Sequence, residues 1–387
     1  AVYGLTSCMD STVPSLSQTP GDSSAAIVVV VDADYIGAFP SLTVAPDGRL
    51  HASYYAKLDG QIPGGGALRH AVKEDTGSWT IETVDGSVYD PGVDVGQFTS
   101  LAADDQGGLH IAYWDVVNHD LKYATLPAAG AGQSWIIETV ADLDQVCAGY
   151  LILHDGKVFI GYCGNGEVLL ASKNIGETGP WPPSEVVAPL VADQGASVSP
   201  QFDENGTLHL VFFDVMTRQI QYTSGQPGSM FPAPVTVATL GSNETKMGMA
   251  LDWTGSPHVI YYDISDSPQL MHAFISDGWK SETVAAVGDL AFTDDGVSNL
   301  GYLQIAVLVD YQGLLRVSYY QGTGAPSGDQ DLKHAVLTPG GWMIDTVDST
   351  GDVGRTSAMA RDAHDGTIHI IYRDSTNNDL RYTYLQP

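Results

Sequence analysis

Apolar positions along this chain fall in short runs, each broken by Gly, Asp, Asn or Pro before a helix could complete two turns. The run Leu208-His209-Leu210-Val211-Phe212-Phe213 is almost continuously apolar, as expected for a strand covered on both faces. The last stretch shows the unit most clearly. Asp365-Gly366 reads as a tight turn, Thr367 to Asp374 as a strand, and Asp379-Leu380-Arg381-Tyr382-Thr383 as its partner across a polar loop.

That unit recurs seven times. Marker glycines stand at Gly48, Gly107, Gly156, Gly206, Gly255, Gly313 and Gly366, between 49 and 59 residues apart. Three residues beyond each lie His51, His110, Phe159, His209, His258, Arg316 and His369. An aromatic follows three further on: Tyr54, Tyr113, Tyr162, Phe212, Tyr261, Tyr319 and Tyr372. A third strand has the form Leu-x-[His/Tyr]-Ala, as at Leu68 to Ala71 and Leu332 to Ala335. A fourth runs from a Trp into Glu-Thr-Val, as at Trp79 to Val84 and Trp135 to Val140. Four short strands repeated about every 50 residues, with glycine turns and a recurring Trp, predict an all-β, seven-bladed β-propeller of four-stranded antiparallel blades.

The seventh copy ends after its third strand. Ala26-Ile27-Val28-Val29-Val30-Val31-Asp32 matches Trp79 to Asp85 in length and ending, so the N-terminal strand is expected to complete the last blade and remove an open edge. Residues 1–24, rich in Ser, Thr, Pro and Gly, read as a flexible lead-in to a single propeller domain over 25–387. A chain opening at Ala1 points to a removed leader or a trimmed start. In the third copy, a hairpin turning at His154-Asp155-Gly156 is expected to set Leu153 against Lys157. That register places Cys147 opposite Cys163, a disulfide suited to an exported protein, with two small buried side chains as the other reading. Cys8 is left over.

Asp and Glu number 46 against 16 Lys and Arg, a net charge of −30, which opposes binding to nucleic acid or to anionic membranes and favours cations. No apolar run is long enough to span a bilayer. A monomer at the cell surface or outside the cell is the expected state.

In a propeller the chain alternates between two rims. The marker-glycine turns occupy one; the other, more acidic, carries the loops between second and third strands and the connections between blades. Recurrent residues serve the blade: Asp115, Asp214, Asp263 and Asp374 read as turn caps, and the repeated histidines as buried hydrogen-bond partners between blades. Departures from the repeat are more informative. Copy one replaces the capping Asp by Ala56 and inserts residues 57–66; copy six replaces it by Gln321 and inserts residues 322–331. Both flank blade seven, so a groove over that blade is expected, lined by Asp59, Gln61, Asp294, Asp295, Gln321, Asp329 and Asp374, with His119 the one non-repeated histidine on this rim. The acidic connections, with Asp32, Asp34, Asp94 and Asp352, could hold calcium through hard oxygen ligands.

The pattern Gly-x-x-His-x-x-Tyr-x-Asp, Leu-x-Tyr-Ala, Trp…Glu-Thr-Val-Asp and Gly-Asp-Val-Gly, as at Gly351-Asp352-Val353-Gly354, resembles a tandem repeat of exported bacterial surface proteins grouped loosely with sialidase-like propellers. The resemblance implies the architecture over residues 26–387. The Asp-box and arginine triad that sialidase activity would need are missing, as are nucleophile-elbow, zinc-protease and phosphate-loop motifs. No catalytic residue is assigned. A binding module for a carbohydrate or a surface protein is the first reading; a polysaccharide lyase or hydrolase using His119 with Asp289, Asp294 or Asp295, and a purely structural surface repeat, are the alternatives.

Overall fold

The computed structural model describes residues 28–33, 37–58, 65–74, 76–128, 134–143, 149–190, 197–242, 244–265, 267–288, 290, 303–322 and 330–386. These form seven four-stranded antiparallel sheets. Blade one runs outward through Ala38–Val44, Leu50–Lys57, Gly66–Lys73 and Trp79–Gly86, and blades two to six repeat that order. In blade seven, Val353–Arg361, Ile368–Asp374 and Asp379–Leu385 are completed by the N-terminal strand Val29–Asp32. Inner strands of blades one and seven touch, so the ring is shut. The second strand of blade four, Leu208–Asp214, is buried along its whole length, which explains its unbroken apolar pattern. No helix long and apolar enough to cross a membrane occurs among these residues.

The Glu-Thr-Val signature has a mechanical meaning. In blade one Leu68 pairs with Asp85 and Arg69 with Thr83, leaving Val84 as the extra residue of a β-bulge. The same bulge occurs in every blade, at Val140, Val187, Val237, Val284 and Val347, and at Val31 in the closing strand. The bulge sends the valine into the core while the next residue turns towards the neighbouring blade: Val31, Val84, Val187, Val237 and Val284 are all buried.

At three successive junctions that next residue is an aspartate, and it latches two blades. Asp32 accepts Tyr54 Oη at 2.7 Å and pairs with Arg69 at 2.6 Å; Asp85 does so with Tyr113 (2.7 Å) and Lys122 (2.6 Å), and Asp348 with Tyr372 (2.8 Å) and Arg381 (3.0 Å). Elsewhere the position is alanine. Tyr162 and Tyr261 turn instead to Ser184 and Ser281, and Tyr319, facing the junction that carries Ala285, has a buried hydroxyl with no partner among the described residues.

The recurring Trp supplies the apolar half of five junctions by packing edge-on against the His or Tyr of the preceding blade's third strand. Trp79 meets Tyr382, Trp135 His70, Trp181 Tyr123, Trp279 Tyr222 and Trp342 His272, with ring centroids 5.2 to 5.4 Å apart. The indole N–H of Trp135, Trp181 and Trp342 donates to Glu82, Glu138 and Glu282. Trp79 faces the closing strand, whose corresponding residue is Val29, and its Nε1 has no acceptor among the described residues.

Two expectations change in detail. The histidine pairs lie within blades, not between them: His51 Nδ1 meets His70 Nε2 at 3.0 Å and His258 Nδ1 meets His272 Nε2 at 2.8 Å, across the second and third strands of one sheet. The contact that crosses to the next blade is made by Glu82 and Glu282 with tryptophan. In blade three the two-residue turn Asp155-Gly156, both at positive φ, pairs His154 with Lys157 and Leu153 with Val158, one residue away from the expected register. Cys163 is buried on its strand, while Cys147 lies outside the described residues, so the bridge remains an expectation.

Candidate functional site

On the acidic rim, most carboxylates that the charge pattern singled out are already engaged. Asp374 is fully buried. Its Oδ1 caps the amides of Thr376 and Asn377, its Oδ2 accepts Asn377 Nδ2 at 2.7 Å, and Arg381 pairs with it. It caps its turn, as Asp115 and Asp214 cap the equivalent ones. Asp32 belongs to the latch between blades seven and one. Asp94 accepts Tyr55 Oη at 2.7 Å and faces Lys57 Nζ at 3.5 Å between blades one and two. Asp352 pairs with Arg355 at 2.7 Å between blades six and seven, with Gln330 and Tyr320 alongside. The three described aspartates of the calcium set therefore sit at three separate junctions, each with a protein cation. Among the described residues no three His, Cys, Asp or Glu side chains are grouped to hold a metal. Asp34, Asp59, Gln61, Asp294, Asp295 and Asp329 lie outside the described residues.

His119 is exposed, with φ of +58° and its ring edge-on to Trp114. Arg218 and Asn378 take the same turn position in blades four and seven at φ of +57°, so backbone geometry places His119 there. Gln321 ends the second strand of blade six, paired with Asp331. Near the axis, Phe39 and Phe98, at matching positions of neighbouring inner strands, stack with centroids 4.3 Å apart. Gln304 reaches from blade six to the carbonyl of Pro40 in blade one. These contacts tie neighbouring inner strands together at the acidic end of the axis.

The opposite rim is open. Between the turn ends of blades four, five and six, extending to Arg361 of blade seven, lies a depression of about 360 Å³. Its floor is the apolar inner strand of blade six, including Leu308 and Val309, and its wall is Trp253, 57% exposed. Trp253 leans on the turn of blade six so closely that a Cβ at Gly313, itself at φ of +77°, would lie 2.9 Å from the indole. Arg361 donates from Nη1 to the carbonyl of Val309 at 3.0 Å, and its guanidinium lies 4.4 Å from the ring centroid of Tyr311.

The depression also carries Asp203 and Asp252, but each is committed to its own turn. Asp252 Oδ1 accepts the amides of Thr254 and Ser256, Asp203 Oδ1 those of Asn205 and Thr207, and each Oδ2 faces a histidine at 3.6 Å. Burial raises both acids, yet the amide bonds and His209 or His258 outweigh it and hold them below the ordinary carboxylate range. Two features of the sequence pointed here. Trp253 and Tyr311 are aromatics at the same turn position, two residues before the marker glycine, in consecutive copies, and Arg361 is one of few arginines. Nothing in the repeat shows that the two turns and Arg361 meet.

No protein-family profile matches the sequence, and no curated protein matches it. Likeness is found in folds. An ulvan lyase of a new polysaccharide lyase family, bound to -[GlcA(1-4)Rha3S]-, has a TM-score of 0.62 at 13% identity, over 92% of this chain and 95% of its own. AofleA from Arthrobotrys oligospora has a TM-score of 0.53 at 15% identity, over 84% and 89%. The intramolecular trans-sialidase from Ruminococcus gnavus, in complex with oseltamivir carboxylate, has 0.51 at 13%, over 94% and 98%. At such identities these similarities show the fold alone, and they carry no activity with them.

Proposed function

We propose that the protein is a non-enzymatic glycan-binding module acting outside the cell, and that it holds its ligand in the turn-rim depression. The observation that supports this is the pairing of an exposed indole with a stacked guanidinium over an apolar floor. Sugar rings present a C–H face that an indole can cover and hydroxyls that fixed polar groups can orient. Propellers that act on sugars are among the fold relatives, which agrees with this class of ligand without assigning it. The lyase or hydrolase alternative needs a base beside an acid; its candidate acids Asp289, Asp294 and Asp295 lie outside the described residues, and the described Asp32, Asp94 and Asp352 are held by Tyr, Arg or Lys.

The test is a glycan array probed with the intact protein, followed by calorimetry on the strongest hit with wild type and Trp253→Ala. The expected outcome is selective binding that Trp253→Ala weakens by at least about tenfold. A blank array, or unchanged affinity in the variant, refutes the proposal; release of unsaturated or reducing sugar from the bound glycan would favour the enzyme reading instead.

A further inference from the structure

We infer that the ligand of the turn-rim depression carries a single carboxylate, received by Arg361; this rests on the glycan reading above. The chain holds 16 basic residues against 46 acidic ones, so acidic partners for a buried guanidinium are plentiful. Arg49, Arg69, Arg316, Arg355 and Arg381 each face an aspartate within 3.0 Å. Arg361 makes no ion pair among the described residues. Its bonds are the one to Val309 O and the stacking on Tyr311, which fix the guanidinium plane and leave donors unspent. A guanidinium fixed in plane offers a carboxylate two parallel N–H bonds without further loss of side-chain freedom.

The acidic neighbours limit how much further negative charge the depression can take. Asp203 and Asp252 spend one oxygen on their own turns and turn the other towards His209 and His258. Glu204 is exposed at the edge of the depression, and the protein around it carries −30 overall. At physiological ionic strength charges further than about 8 Å away are largely screened. One carboxylate docked on Arg361 has the guanidinium at hydrogen-bond distance, while Asp203 and Asp252, ionised in the same depression, oppose a second one, and a polyanion laid across the rim also meets Glu204 and the acidic surface. The ligand class that fits is a sugar chain with an isolated or terminal uronate among neutral units. Trp253 covers the face of the ring and Arg361 takes the acid group.

The experiment is a ligand-observed NMR titration of the intact protein with the methyl glycosides of glucuronate, galacturonate, glucose and galactose, and with polygalacturonate. One uronide is expected to bind at least about tenfold more tightly than its neutral counterpart at 0.15 M salt, with the gap narrowing as salt rises, and more tightly per residue than the polyanion. Arg361→Gln, checked for an unchanged melting temperature, is expected to erase the gap and leave the neutral glycoside bound. Arg361→Lys, which keeps the charge without the fork, should retain part of it. Equal affinity for uronide and neutral sugar overturns the carboxylate inference and leaves the glycan reading standing. Binding that Arg361→Gln leaves unaltered also overturns it. Failure of every glycoside to bind the wild type overturns both.

Discussion

Three of the seven propeller junctions close on a tyrosine–aspartate–cation latch, and a fourth, in front of Tyr319, has the tyrosine without the aspartate. This built-in contrast predicts opposite outcomes for one chemical change. Tyr54→Phe removes a 2.7 Å hydrogen bond to the carboxylate of Asp32, which keeps Arg69 as its remaining partner. A hydrogen bond to a charged group contributes about 1.5–3 kcal/mol, so that is the expected loss. Over roughly 360 residues of propeller, at about 2.1 cal/mol/K per residue, the unfolding entropy is near 0.75 kcal/mol/K, and the melting temperature should fall by about 2–4 °C. Tyr319→Phe deletes a hydroxyl that is buried and unpartnered, so it should leave stability unchanged or raise it by about 1 kcal/mol. Calorimetry on the two variants and the wild type reads both effects. If Tyr319→Phe melts as far below wild type as Tyr54→Phe, the latch is not what distinguishes these junctions, and the argument from the post-bulge residue fails.

Two further predictions concern acid and glycine. Burial, reinforced at His51 by the neighbouring His70, pushes His51 down to about 4; burial likewise pushes His369 to about 4 and His334 to about 3. Between about pH 6.5 and 4 the unfolded chain takes up protons that these folded histidines refuse. Stability is therefore fully present above pH 7 and lost as pH falls through that window, by roughly 3 kcal/mol each for His51 and His369. Melting curves from pH 7.5 to 4.5 should decline, and His369→Phe, which copies Phe159 of blade three, should flatten the decline; a melting temperature that rises on acidification would contradict this. Gly96 stands at φ of +102°, where a Cβ would lie 2.7 Å from Leu68 Cα of the preceding blade, whereas Gly107, at φ of +85°, has open space around it. Gly96→Ala should cost about 2–5 kcal/mol and Gly107→Ala about 1–2 kcal/mol, and equal denaturant midpoints for the two would sink the close-approach account.

Much of the fold was legible because each blade is one supersecondary unit written out seven times. A residue type that returns at the same place in most copies exposes strand order, turn position and buried face without any long-range information. The closing strand was readable for the same reason: Val31-Asp32 copies Val84-Asp85, bulge included. Gly-Asp-Val-Gly was legible as a motif but not as a mechanism. Only the structure shows that Gly96, Gly354 and Gly37 each let an inner strand pass against a leucine of the preceding blade, at Leu68, Leu332 and Leu380.

Periodicity alone determined the number of blades, their four strands, the closure by the N-terminal strand and the capping role of the repeated aspartates, because all of these are short-range or repeated many times. Tertiary structure alone decided which carboxylates are spent and where the surface is open. Asp32, Asp94, Asp352 and Asp374 look alike in composition, but Asp32 and Asp94 take their cations, Arg69 and Lys57, across a blade junction, whereas Asp352 and Asp374 take theirs from the nearby Arg355 and Arg381. The depression at Trp253 and Arg361 joins side chains from blades five and seven over a floor from blade six. A feature built once, from residues more than a hundred apart in the chain, leaves no period to read.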